Sequence, residues 1–167
     1  MQYIVREKGS KEPNAAIVES LEPLIRGIGM ALIELSIFQG NRRGGVQVKA
    51  VVMVAEPGSG DTGVEDCARA HRLIMPRLEL AFPGKDIYLE VSSPGINRLI
   101  RDGSEFAHYI GREVKCYRTD ISDWTAGILR AADGEKIVLE VNGGVTILSY
   151  ETIAKARLSA PIKNTGG

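Results

Sequence analysis

The chain has 167 residues, 44% of them hydrophobic and 25% charged, a globular profile that argues against disorder except at the ends. Its 21 basic and 21 acidic residues cancel. That balance argues against a protein holding nucleic acid mainly by neutralising phosphates, though a local basic patch stays open. Split after Gly95, each half lies within one charge of neutral, so neither is a basic arm or an acidic tail. No stretch approaches the roughly 20 apolar residues that span a bilayer, and Met1 to Lys11 has no apolar run of signal-peptide length. A cytoplasmic protein with no membrane partner is expected. Cys67 and Cys116 fit reduced, separate thiols better than a disulfide framework.

Residues 1–12 read as a flexible lead-in to a first domain over 13–95. Asn14 can cap a helix, and Ile17, Leu21, Leu24, Ile25 and Ile28 recur at helical spacing. Pro23 should kink this helix or mark the start of its main part, and Gly27 and Gly29 should end it. A strand follows over 31–38, with Leu32, Glu34, Ser36 and Phe38 on one face and Ile33, Leu35 and Ile37 on the other. The turn Gln39–Gly45 leads to a second strand over 46–55, pairing antiparallel with the first. Thr62 and Glu65 form a capping-box pattern for a helix from Val64 to Leu80, which Pro76 should kink or shorten. A third strand over 87–91 closes on the turn Ser92-Ser93-Pro94-Gly95. The order α-β-β-α-β describes a helix-backed sheet.

Residues 96–103 read as a linker. Beyond it come a short helix from Ser104 to Ile110 and strands at 113–118, 124–130, 136–141 and 145–150, with one helical turn and a last strand within 151–158. Asp133-Gly134 and Asn142-Gly143 are tight-turn signals, the second typical of a type I′ hairpin. Five short strands in about 50 residues suggest a small SH3-like or Sm-like barrel over 104–160, with a flexible tail at 161–167. The expected fold class is α+β, a KH-like N-terminal domain followed by a small SH3/Sm-like β-barrel domain.

The candidate chemistry is sparse. The loop Gly58-Ser59-Gly60-Asp61-Thr62-Gly63 precedes a helix, but Val64 stands where a phosphate-binding P-loop needs Lys. Gly60-Asp61-Thr62-Gly63 has the spacing of a KH-type GXXG loop, although Asp61 would repel phosphate. Cys67 and His71 share a helix face, yet no second pair stands at metal-ligand spacing. Ser92 and Ser93 lack the flanking glycines of a nucleophile elbow and read as turn residues. No pair of carboxylates stands out as an acid/base couple. The expectation is no catalytic residue, no cofactor and no metal. Arg98, Arg101, Arg112, Lys115 and Arg118 outnumber Asp102, Glu105 and Glu113 and could meet RNA phosphates or an acidic protein surface, or form a solvated, salt-bridged face. Arg42 and Arg43 are a second basic point at a hairpin tip. Tyr117 and Trp124, on strands, read as core.

The segment Tyr88-Leu89-Glu90-Val91-Ser92-Ser93-Pro94-Gly95-Ile96-Asn97-Arg98 closely resembles the signature of the bacterial ribosome maturation factor family, RimP: a strand, Ser-Ser-Pro-Gly, an aliphatic residue, an acid and Arg. Leu21-Glu22-Pro23, Gly63-Val64-Glu65-Asp66-Cys67, Gly111-Arg112-Glu113-Val114 and Ile153-Ala154-Lys155-Ala156-Arg157-Leu158 are similar to further family segments in the same order. Asn97 departs from the usual acid, Leu99 from a common Pro and His71 from a small polar residue. The resemblance implies a non-enzymatic factor that matures the small ribosomal subunit. It also implies as partners the immature subunit and small-subunit ribosomal protein number twelve, with ribosomal RNA a further candidate. Nothing in the sequence demands more than a monomer. Ser92, Ser93, Gly95, Asn97, Arg98, Arg101 and Arg112 are the expected partner-binding residues. The alternative is a free-standing RNA-binding regulator with KH-like and Sm-like domains. A hydrolase using Ser93 or Cys67 ranks far below both.

Overall fold

The computed structural model describes residues 1–3, 14–40, 45–55, 62–95 and 98–159. The chain divides into two compact units, Arg6–Pro94 and Gly95–Gly167 together with Met1–Val5. The architecture is α+β.

The first unit runs α1 (Ala15–Gly27), β1 (Met30–Gln39), β2 (Gly45–Val54), α2 (Val64–Ala81) and β3 (Asp86–Ser92). Its sheet has the order β1-β2-β3, β1 antiparallel and β3 parallel to β2, with α2 as the crossover that parallel pairing requires. Leu21 and Ile25 of α1 and Ala70, Ile74 and Leu78 of α2 form one buried core with Val46, Val48, Ala50 and Val52 of β2. Each fully buried aliphatic side chain of this kind contributes about 2 kcal/mol. The opposite face of the sheet carries the row Phe38–Gln47–Tyr88, whose two aromatic rings are largely exposed.

Three local expectations are corrected here. Asn14 precedes α1 in the left-handed region, φ 78°, and makes no side-chain capping bond; only its carbonyl accepts, from Val18. The strand alternation expected for β1 breaks at a bulge: Leu32 pairs with Val52 but Glu34 with Val51, leaving Ile33 as the extra residue. Leu32 therefore packs on the core with Leu35 and Ile37, while Glu34, Ser36 and Phe38 keep the other face. At α2 the reciprocal bond comes from Asp66, whose carboxylate accepts from Gly63 N–H at 2.9 Å; the Thr62 hydroxyl instead accepts from Val54 N–H at 2.9 Å. Neither Pro23 nor Pro76 ends its helix.

The second unit contains β4 (Leu99–Ile100), a 3-10 helix (Gly103–Tyr109), β5 (Glu113–Arg118), β6 (Asp123–Ala132), β7 (Lys136–Val141), β8 (Gly144–Ser149), a 3-10 turn (Tyr150–Thr152) and β9 (Ile153–Leu158). The strands form one antiparallel sheet in the order β4-β9-β5-β6-β7-β8. Alternate residues from five of them, among them Val114, Cys116, Leu129, Ile137, Leu139, Leu148 and Ile153, are buried together with Phe106 and Tyr109. Asn142 and Gly143, φ 50° and 78°, make the two-residue turn that their sequence announces, between paired Val141 and Gly144. The Asp133 carboxylate accepts from Glu135 and Lys136 N–H, closing the turn before β7.

Two segments outside the expected domains take part in the second unit. Leu99–Ile100, inside the expected linker, pairs with Arg157 and Ala156 of β9. The first three residues of the expected lead-in are tied to the second unit. The Met1 nitrogen donates to the Tyr150 and Ile153 carbonyls at 2.9 and 2.6 Å, Gly103 N–H donates to the Gln2 carbonyl at 2.7 Å, and the Tyr3 ring lies 5.8 Å from that of Tyr150. Residues 4–12 and the tail at 161–167 lie outside the described residues.

Candidate functional site

The expected partner-binding residues fall on both units. Ser92, exposed, is the last residue of β3, and Ser93 and Pro94 follow half-buried. Gly95 is exposed and its carbonyl accepts from Arg98 N–H at 3.2 Å. Asn97 lies outside the described residues, as do Arg42, Arg43 and the loop residues Gly58 to Asp61.

The Arg98 side chain is turned largely inward. The side chain is only 15% exposed, and its guanidinium is 3.1 Å from Glu105, which is itself buried. Glu105 Oε1 accepts from Arg98 Nε at 3.1 Å and from the Tyr109 hydroxyl at 2.9 Å, while Oε2 accepts from Arg101 N–H at 3.0 Å. Residues 98 to 101 are thereby fastened to the 3-10 helix that follows them, in a charge pair made worthwhile by its additional hydrogen bonds. The Arg101 side chain is more exposed and lies 3.9 Å from Glu105. Arg112 is half-buried, and its backbone bonds Tyr109 and Leu129. Arg118 pairs with Asp120 at 2.6 Å. The basic cluster seen in sequence is thus largely divided among internal pairs.

Burial sets the titration of this unit. The Tyr109 hydroxyl is held well above its usual range by burial first, then by the Glu105 charge and hydrogen bond, with Arg98 pulling the other way. Burial pushes Tyr150 from 10 up to about 12, assisted by Asp133, Tyr3 and Asp102, and pushes Cys116 from 9 up to about 12. These groups stay protonated in the fold at a pH where the unfolded chain ionises them. The stability they contribute is complete below pH 9 and is lost as the pH rises toward about 12. Circular dichroism during chemical unfolding should show the midpoint of the second unit falling above pH 9, and less steeply in Cys116→Val. A midpoint constant up to pH 12 would contradict this.

Of the candidate nucleophiles Ser93 and Cys67, the structure bears on the thiol. Cys67 is half-buried, and its thiol is raised by burial first and by neighbouring Asp66 second, the opposite of what a reactive thiolate needs. Cys116 is buried. Among the described residues no group of three or more His, Cys, Asp and Glu could hold a metal ion. No helix of the described residues is long and apolar enough to cross a membrane.

Tyr117 and Trp124 correct another expectation. They are not core. Val114 and Cys116 take the buried side of β5, so Lys115 and Tyr117 take the other, and Trp124 opposes Tyr117 with 38% of its surface exposed. Sequence periodicity within 113–118 carried that signal, since either set of alternate residues could be the inner one until Cys116 and Val114 are recognised as the smaller and more apolar pair.

Comparison with protein families adds the deciding observation. Residues 20–97 match the model of the RimP N-terminal domain. Over residues 20–97 the chain carries a RimP N-terminal domain. The matched span runs from α1 through β3 and takes in the Ser92-Ser93-Pro94-Gly95 turn, so the α-β-β-α-β unit is a RimP N-terminal domain. RimP proteins are ribosome maturation factors, and ribosome-related partners follow for the family in general.

Proposed function

We propose that this chain is a non-enzymatic assembly factor for the small ribosomal subunit, acting in the cytoplasm on the immature subunit and its ribosomal protein number twelve. The match of residues 20–97 to the RimP N-terminal domain carries this reading. The second unit is read as an Sm-like barrel, on the strength of its strand order β4-β9-β5-β6-β7-β8 and its core drawn from alternate residues of successive strands. Two further observations favour binding over catalysis: thiols held in the unreactive form, and an arginine pair whose carboxylate partner serves the fold. Zero net charge suits a factor whose affinity comes from shape and protein contacts more than from phosphate neutralisation.

In mechanism, the protein holds part of the immature subunit in a binding-competent arrangement and then leaves. The exposed row Phe38–Gln47–Tyr88 offers the first unit a surface for such a contact, because large apolar rings open to water gain most on being covered. Deletion of the gene should lower the ratio of small to large subunits and cause precursor small-subunit RNA to accumulate. Normal subunit ratios with normal RNA processing would refute the reading.

A further inference from the structure

The outer face of β5 and its two neighbours carries an arrangement that the ribosome-factor reading does not use. Tyr117 on β5 sits between Lys155 on β9 and Trp124 on β6; one step along, Lys115 sits between Arg157 and Ala126. The Tyr117 and Trp124 rings meet edge to face, with centroids 5.5 Å apart at 75°. Lys115 Nζ is 5.6 Å and Lys155 Nζ 5.7 Å from the centre of the Trp124 ring, and Lys155 is 6.0 Å from that of Tyr117. Three cations and two aromatic rings therefore share one patch. Two carboxylates border the patch: Glu113, on the same side of β5 as Lys115, accepts from the Ser159 hydroxyl, and Asp123, beside Trp124, accepts from Trp124 N–H.

We infer that this face binds single-stranded nucleic acid, its bases stacking on Trp124 and Tyr117 and its phosphates meeting Lys115, Lys155 and Arg157. The argument is charge complementarity combined with ring chemistry. An acidic protein surface would satisfy the cations and could cover the indole, but it offers no regular row of flat π-faces to stack there. A single strand presents a π-face and a negative charge at every nucleotide, so it can satisfy both at once. A duplex hides its base faces and would meet only the cations. Lys115 and Lys155 lie over the Trp124 ring, yet the residue as a whole stays 38% exposed, so the lysines do not seal it from water. The inference stands on this face alone and does not depend on the ribosomal partner.

Trp124 is the chain's single tryptophan, so its fluorescence reports on the proposed site directly. The full chain would be titrated with a uridine oligonucleotide of about ten nucleotides, a length typical of such sites. Saturable quenching is expected, weakening with salt at a slope of about −2, the value for three phosphates neutralised on a single strand. In anisotropy with a labelled oligonucleotide, Trp124→Ala should weaken binding about ten- to a hundredfold. Lys115→Gln with Lys155→Gln should weaken it and flatten the salt slope. All these side chains are at the surface, and circular dichroism would verify that the variants are folded. Unchanged affinity in Trp124→Ala overturns the inference. So does equal binding of polyglutamate, which would mark an acidic-protein site, or of duplex RNA, which would mark a generic charge patch.

Discussion

Glu105→Ala should destabilise the second unit by about 3–5 kcal/mol, the loss typical of breaking a buried ion pair from one side. The carboxylate accepts from Arg98, Tyr109 and the Arg101 backbone, and it is 6% exposed. Its removal strands an arginine side chain that is 15% exposed, together with a buried phenol. The penalty is that of unpaired buried groups, which exceeds the net worth of the bonds themselves. Glu105→Gln retains shape and one acceptor and should lose less. In Arg98→Met with Glu105→Leu both charges go at once, and the loss should be smaller than in Glu105→Ala. Urea unfolding followed by circular dichroism measures all four proteins. An unchanged midpoint in Glu105→Ala would show that the network does not hold the unit. The double variant also has a functional use. If it folds and still supports subunit maturation, Arg98 matters to the fold; if it folds and fails, Arg98 reaches a partner.

Gly127→Ala should cost the same unit about 1–3 kcal/mol, through overpacking that cannot relax. A Cβ on Gly127 would stand 2.6 Å from the Glu140 carbonyl oxygen and 2.8 Å from Val141 Cγ2. The first of these is backbone of the neighbouring strand β7, paired with β6 through Ile128 and Glu140. Giving way there means parting the ladder, whereas a flexible side-chain tip could simply turn aside. Gly27, near the end of α1, has nothing within 4 Å of such an atom and is the natural comparison for a small effect. A Gly127→Ala unfolding midpoint within about 0.5 kcal/mol of the parent would contradict the account.

The parts of the fold that were legible in sequence are those governed by local pattern. The strand over 136–141 and the turn at Asn142-Gly143 follow from alternation and from the positive φ that those turn residues tolerate. What escaped depends on contacts distant in sequence. The bulge at Ile33 reverses the inward face of β1, and nothing in the run of apolar residues over 30–38 marks where the reversal falls. Two-residue β4 has no periodicity to read; it exists because Arg157 and Ala156 lie opposite it. Met1 and Tyr3 are ordered by residues about 150 positions away, and Gln2 by Gly103. The candidate site divides in the same way. The Ser92-Ser93-Pro94-Gly95 segment announced the family through its sequence, but the internal role of Arg98 needed Glu105 to be seen as buried, and sequence alone treats both as surface charge. The outward Trp124 was hidden because an aromatic on a strand is usually core.

The central claim is that the chain works on the immature small ribosomal subunit, and sucrose-gradient sedimentation of cell extract, probing every fraction for the protein, tests it most directly. The account predicts that the protein travels with free small subunits and is scarce on complete ribosomes. A protein that stays at the top of the gradient at low salt, away from every ribosomal particle, would contradict it.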